Sequence, residues 1–146
     1  MMAISVQVGD IQGVINRLTA IPVGLEKYVI NNLSQVAYDN AEAGADKHTK
    51  TGTLRQSLYN RAIPDGRAIG HDRNRAPYAA FVLLGTRPHK ITPKRKKALR
   101  WAVGGKFAFA KSVNHPGYRG DNYLLRAATE AVRQFDRIVR EGMAKQ

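Results

Sequence analysis

The stretch GTRPHKITPKRKKALRW, residues 85–101, holds seven Lys or Arg side chains and no Asp or Glu. Three readings are open: a grip on nucleic acid, a docking arm for an acidic partner, with Arg acting as a planar fork and Lys as a mobile point charge, or a solvated surface strand. The imbalance reaches further than the stretch itself. Between Asp72 and Asp121 lie 48 residues with 12 of the 24 Lys and Arg of the chain and no acid at all. Arg87, Lys90, Lys94, Arg95, Lys96, Lys97, Arg100 and Lys106 are therefore the candidate contacts to a partner protein or to DNA. Trp101, Phe107 and Phe109 stand among them and would stack nucleobases if exposed. However, Phe107 and Phe109 are two apart and share one face of an extended segment, so they are expected in the core.

Other chemistry finds less support. The four histidines, His48, His71, His89 and His115, show no i, i+4 pair, and only Asp72 neighbours one of them, so no metal site is expected. His89 and His115, each beside a proline, are read as loop residues making hydrogen bonds, with His115 a donor. Thr53, Ser57 and Ser112 lie in no nucleophile motif. The carboxylates do not pair for acid–base work or Mg²⁺. A lone TGT at 51–53 reads as a tight turn with a Thr cap, not as a phosphate loop. Nothing argues for an enzyme or a cofactor, and no zinc finger, helix-turn-helix or RNA-binding aromatic signature is present.

A chain of 146 residues, 43% of them apolar, suits one domain with its own core. The formal charge of +13 keeps it soluble and draws it to polyanions or acidic surfaces. The absence of cysteine excludes disulfides and thiolate chemistry and suits a reducing cytoplasm. No apolar run is long enough to span a bilayer, and the first residues lack the pattern of a signal peptide.

The elements that must position the basic segment follow from periodicity. ISVQV, residues 4–8, alternates like a strand, and Asp10 suits the N-cap of a helix to about Ala20 with Ile11, Val14, Ile15 and Leu18 on one face. Pro22 and Gly24 end it. Leu25, Val29, Leu33, Val36, Ala37 and Ala41 predict a long amphipathic helix to about Lys47. SLYNRAI and GRAIGHD predict two strands about a PDG turn. YAAFVLLG, residues 78–85, is a short helix or a buried strand. KRKKALRWAV and KFAFAKSV predict a hairpin about Gly104-Gly105, with Leu99 and Trp101 anchoring the Lys94–Lys97 loop to the body. Asp121 is read as the cap of a last helix with the apolar face Leu124, Leu125, Ala128, Val132, Phe135 and Val139, ended by Gly142. The order predicts an α+β fold: a mostly antiparallel sheet packed by the long helix and the C-terminal helix, with an extended basic loop or hairpin. Residues 1–24 form an N-terminal extension and 25–142 the core of a single domain. Val29, Leu33 and Val36 are expected to pack on Leu124, Ala128 and Phe135 against one sheet face.

The order of five small motifs adds a resemblance. TGTLRQSL (51–58), PYAAFVLLGTRPH (77–89), KKALRW (96–101) and, within FAKSVNHPGYRGDNYLLRAA (109–128), an HPG turn and the opening of a last helix resemble the gene-ten-like tail-component or neck proteins of long-tailed phages. The matching positions include Thr51, Gly52, Leu54 and Ser57; Tyr78, Ala79, Val82, Gly85 and Thr86; Lys96, Lys97, Ala98, Leu99 and Trp101; His115, Pro116 and Gly117; and Tyr123, Leu124 and Ala127. One departure is that Leu83 and Leu84 precede the Gly-Thr pair, where the family often has an acid. The resemblance implies a virion protein of the head–tail junction, assembled in the host cytoplasm. It would form a ring, commonly hexameric, around the DNA channel and join head-closure, terminator or tail-tube proteins. It also implies that Thr51, Gly52, Gly85, Thr86, His115, Pro116, Gly117 and Asp121 build the loops of the fold. The competing reading is a free nucleic-acid-binding protein using residues 87–119.

Overall fold

The computed structural model describes residues 16, 19–22 and 24–145. The expected strand at 4–8 and the stripe Ile11, Val14, Ile15 and Leu18 behind Asp10 lie outside the described residues. Within them the fold is α+β, and every strand pairing is antiparallel.

Helix α1, Leu25–Asp46, is the spine. Its buried positions Leu25, Val29, Ser34, Ala37, Ala41 and Gly44 recur at steps of three to five residues, with Ala45 beside the last, and so share one stripe. Two segments follow it: the single turn α2, Thr53–Gln56, and the hairpin of β1, Leu58–Ile63, with β2, Gly66–His71. Ile63 faces Gly66 across Pro64-Asp65, as the PDG turn predicts. The ambiguous apolar segment is helical: α3 spans Ala79–Leu84.

The chain then runs out and back through β3, Gly85–Thr86; β4, His89–Ile91; β5, Leu99–Val103; β6, Lys106–Ala110; β7, Val113–His115; and β8, Tyr118–Arg119. It closes with α4, Tyr123–Arg133, and α5, Phe135–Met143. The predicted last helix is thus two, divided at Gln134. One buried stripe, Tyr123, Ala127, Ala131, Phe135, Ile138 and Gly142, passes through the division. Phe135 lies in this stripe as expected, but elsewhere the stripe sits one position away from the expected face, so Ala127 and not Ala128 is buried.

The core forms where α1 meets α4 and α5. Leu25, Val29, Phe135 and Ile138 pack with Leu33, Val36 and Val139, as expected for Phe135. Leu124 instead packs further along α1, beside Ala41, Leu58 and Ala127. The expected single sheet under both helices is not what forms. The strands make four two-stranded ladders, and the two helices bury their stripes chiefly on α1. Gly142 does not terminate the last helix either. It lies inside α5, where a Cβ would come within 2.6 Å of Leu25 Cδ1 and Tyr28 Cδ1, so its lack of a side chain lets α5 approach α1.

Gly44 plays the same part opposite α4, where a Cβ would stand 2.5 Å from Tyr123 Cβ. Replacing Gly by Ala in an unobstructed helix stabilises it by about 1 kcal/mol. Here Gly44→Ala is expected to destabilise by about 1–3 kcal/mol, because overpacking forces α1 and α4 apart. Denaturant unfolding measures the sign, and a stabilised variant would show that the two helices do not meet this closely.

Candidate functional site

The basic segment lies on one long antiparallel arm. Gly85 faces Arg119 and Thr86 faces Tyr118; His89 faces His115 and Ile91 faces Val113. All four pairs keep one register. Beyond them, Leu99 faces Ala110 and Val103 faces Lys106. Ile91 to Leu99 is eight steps on the outgoing strand, and Val113 to Ala110 is three on the returning one. The outgoing strand therefore carries five extra residues, and they loop out as the Lys94–Ala98 bend that holds Lys94, Arg95, Lys96 and Lys97. Lys106 to Tyr118 would span on the order of 40 Å at about 3.3 Å per residue if straight.

The eight candidate contacts Arg87, Lys90, Lys94, Arg95, Lys96, Lys97, Arg100 and Lys106 are all exposed. Among the described residues none of them meets a carboxylate. Burying four consecutive cations on one face without acids would be prohibitive, so they remain in water. The expectation about the rings is overturned. Trp101 is 41% exposed, Phe107 58% and Phe109 65%. Leu99 is half-buried, so the anchoring role falls to it and not to Trp101. The physical reason is topological: alternation along a strand buries one face only when a further layer covers it, and β5 and β6 pack principally on each other. Pairs directly opposite share a face. Trp101 and Val103 thus lie on one side of the hairpin, and Phe107 and Phe109 on the other, where the Arg100 guanidinium carbon stands 4.2 Å from the Phe107 ring centre. Gly104 and Gly105, with φ of 54° and 78°, make the two-residue reversal that such a hairpin requires.

At the root of the arm the separate loop motifs come together. Gly85, at φ 79°, and Gly120 lie backbone against backbone: a Cβ on Gly85 would collide with Tyr118 O, and one on Gly120 with Gly85 N. His115 and His89 stack across the ladder with ring centres 5.0 Å apart. Both are strand residues, not loop residues. His115 Nδ1 accepts from Gly117 N–H at 3.0 Å, so it fixes the Pro116-Gly117 turn as an acceptor and not as a donor. Between α3 and this root opens an apolar cleft of about 780 Å³, lined by Tyr78, Phe81, Val82, Ile91, His115 and Tyr118 among others.

The β1–β2 hairpin is tied to α2 and α4 by a polar chain that sequence reading missed. Ser57 Oγ–H donates to Leu54 O at 2.6 Å, which makes Ser57 Oγ the acceptor for His71 Nδ1–H at 2.7 Å. His71 Nε2 then accepts from the Tyr123 hydroxyl at 2.6 Å. Each polar atom has its partner, although Tyr123 is 1% exposed and Ser57 2%. Burial favours the neutral form of both rings, lowering the pKa of His71 and raising that of Tyr123. The Ser57 hydroxyl proton is directed to a carbonyl, and the residue is buried. The partners are 14 and 52 residues apart, and no local pattern betrays them. Beside this chain, His48 stacks on the Tyr123 ring and its Nε2 lies 2.7 Å from Asp121 Oδ2. Asp121 also pairs with Arg126.

Asp121 is therefore not the cap of α4. That role belongs to Asn122, whose Oδ1 accepts from Leu125 N–H at 3.1 Å. Near Gly52, which opens α2, no side chain caps the turn, and Thr51 Oγ1 lies 3.0 Å from Thr53 Oγ1 instead. Among the described residues no group of three or more His, Cys, Asp or Glu could hold a metal ion, and no helix is long and apolar enough to cross a membrane. In comparisons with known proteins, the chain matches no family model, no curated protein and no solved structure.

Two predictions follow from this geometry. Asn122→Ala should lose about 0.5–2 kcal/mol of stability, the usual cost of an N-cap. Asp121→Ala should leave α4 capped, and an equal helix-start fraying in both variants by amide exchange would refute the assignment. The second concerns acid. The folded pKa of His71 lies below its ordinary 6.5, so the unfolded chain takes up that proton first, and stability falls as pH drops below about 6.5. Hydrogen bonds from Arg126 and His48 hold Asp121 near about 2 against an ordinary 3.8, so its contribution is present above 3.8 and is lost as pH falls toward 2. Unfolding midpoints measured across pH should lose the upper limb in His71→Gln and the lower one in Asp121→Asn; unchanged profiles would contradict the two networks.

Proposed function

We propose that this chain is a structural subunit of the phage head–tail junction, a neck or tail-completion ring protein that joins tail to head around the DNA channel. The observation that carries this reading is the arm of residues 85–119: a long projecting hairpin, rooted in a glycine crossing, with a four-cation loop halfway along and an apolar tip. A projecting two-stranded arm with uncovered rings is marginal by itself and gains stability when a neighbour covers it. Its ladder edges also offer unpaired backbone groups to an adjacent subunit. The order of the five motifs supports the phage assignment, and the loop cations suit an acidic neighbouring ring or the DNA in the lumen, because charges at an interface rim steer and select partners.

A second reading draws on one specific feature. Trp101, Phe107 and Phe109 are exposed beside unpaired cations, the combination used to bind single strands without sequence preference. A free nucleic-acid-binding protein would use the same segment.

One double substitution separates the two. Lys96→Glu with Lys97→Glu alters exposed side chains only, and the thermal midpoint should change little. In the neck reading the variant fails to join tails to heads, seen as free tails and filled heads by electron microscopy. In the nucleic-acid reading, salt-sensitive DNA binding is lost while virions assemble normally. Normal plaque formation together with lost DNA binding would remove this segment from the neck assignment.

A further inference from the structure

Among the described residues, two clusters of apolar side chains are uncovered at opposite ends of the same arm. At the tip, Trp101, Val103, Phe107 and Phe109 face solvent on both sides of the hairpin. At the root, Tyr78, Phe81 and Tyr118, exposed by 41%, 59% and 42%, border the open cleft of about 780 Å³. No residue of β5 or β6 lines that cleft. Leu84 beside it is 61% exposed although it belongs to an apolar helix of six residues. Isolated exposed apolar side chains are ordinary, but patches of several rings mark interaction sites.

We infer that the arm tip of one copy docks in the root cleft of a second copy, so that each subunit both gives a tip and receives one. This inference rests on the subunit reading above and names the surfaces that make the contact. The occupant is a second copy for three reasons. The ladder runs outward from the Gly85–Arg119 pair to the Val103–Lys106 pair, so the tip is carried away from its own root, and the cleft of the same chain stays open. The cleft presents rings and aliphatic side chains with Arg87 as the one permanent charge among its lining residues, which suits apolar side chains and offers little to a phosphate chain. The tip likewise has aliphatic Val103 beside its rings, and its Arg100 is already laid over Phe107. Because donor and acceptor surfaces differ, the contact is heterologous, and its repetition closes a ring or extends a filament. A two-sided tip fits such a contact better than a one-sided one: one face meets the cleft and the other meets whatever lies above it.

Charge sets the conditions. The whole 73–120 segment is acid-free, so both surfaces sit in a positive field. Like charge opposes the docking at low salt and is screened at high salt. Self-association should therefore strengthen as salt rises, opposite to the salt dependence of DNA binding.

The chain has no cysteine, so thiols can be placed at will. Arg87→Cys at the cleft rim and Lys106→Cys at the tip are made singly and together, and treated with a short thiol-to-thiol cross-linker in high salt at high protein concentration. The double variant should give a ladder of covalent oligomers, and a mixture of the two single variants should give heterodimers. Phe107→Asp with Phe109→Asp should keep the thermal midpoint and weaken self-association by more than about tenfold, measured by analytical ultracentrifugation. A link formed within one chain, or one between two tips in the Lys106→Cys variant alone, overturns the docking. Rings seen by electron microscopy without the tip-to-cleft link overturn it while leaving the subunit reading standing. A chain that stays monomeric at millimolar concentration in high salt overturns the docking as well. If that chain also fails to add to isolated tails or heads, the subunit reading falls with it.

Discussion

The buried hydroxyl of Tyr123 is the constraint on which the rest of the fold depends. Burying an aromatic side chain contributes roughly 1.5–3 kcal/mol. Burying its hydroxyl unpaired would cost about 1–3 kcal/mol, which cancels the gain. The ring can therefore enter the core only if a partner waits for its oxygen, and His71 at the end of β2 is that partner. His71 in turn needs Ser57, and Ser57 needs the carbonyl of Leu54 in α2. Accepting the ring beside α1 requires Gly44, where any side chain would collide. One residue thus ties α1, α2, β2 and α4 together, and it stands two positions after Asp121 and three after Gly120, where the arm returns to the body.

The arm inherits its orientation from that junction. Asp121 N–H donates to Val82 O at 2.9 Å, and the crossing of Gly85 with Gly120 follows at once. Outward from there the two strands hold one register until the outgoing chain loops out. The loop places Lys94 to Lys97 off the ladder, so four cations sit in water without breaking the pairing on either side. Stability is consequently uneven along the molecule. The helical layer has a buried apolar core, whereas the arm is held mainly by its ladder and gains most from a covering partner.

Some of this was legible in the chain itself. The long helix, the PDG hairpin, the Gly104-Gly105 reversal and the exposed cation loop all declare themselves within a few residues, through spacing or turn chemistry. Other readings went astray where the deciding partner was far away. Asp121 and Asn122 are both good caps, and the choice between them was made by His48, 73 residues earlier, which engages Asp121. Phe107 and Phe109 have the alternation of a core strand. Periodicity reports which side chains share a face, and it is silent on whether anything lies over that face.

The sequence by itself determined the class of fold, the position of α1 and of the hairpins, and the one-signed charge of residues 73–120, because these follow from local propensity and counting. Tertiary structure alone decided that His71, Ser57 and Tyr123 form one satisfied chain, that the Gly85 and Gly120 motifs cross, and that the aromatic tip stays uncovered. Each of those outcomes depends on segments distant in sequence meeting at hydrogen-bonding or van der Waals distance. Such meetings are set by the packing of α1 against α4 and α5, which no local stretch of the chain encodes.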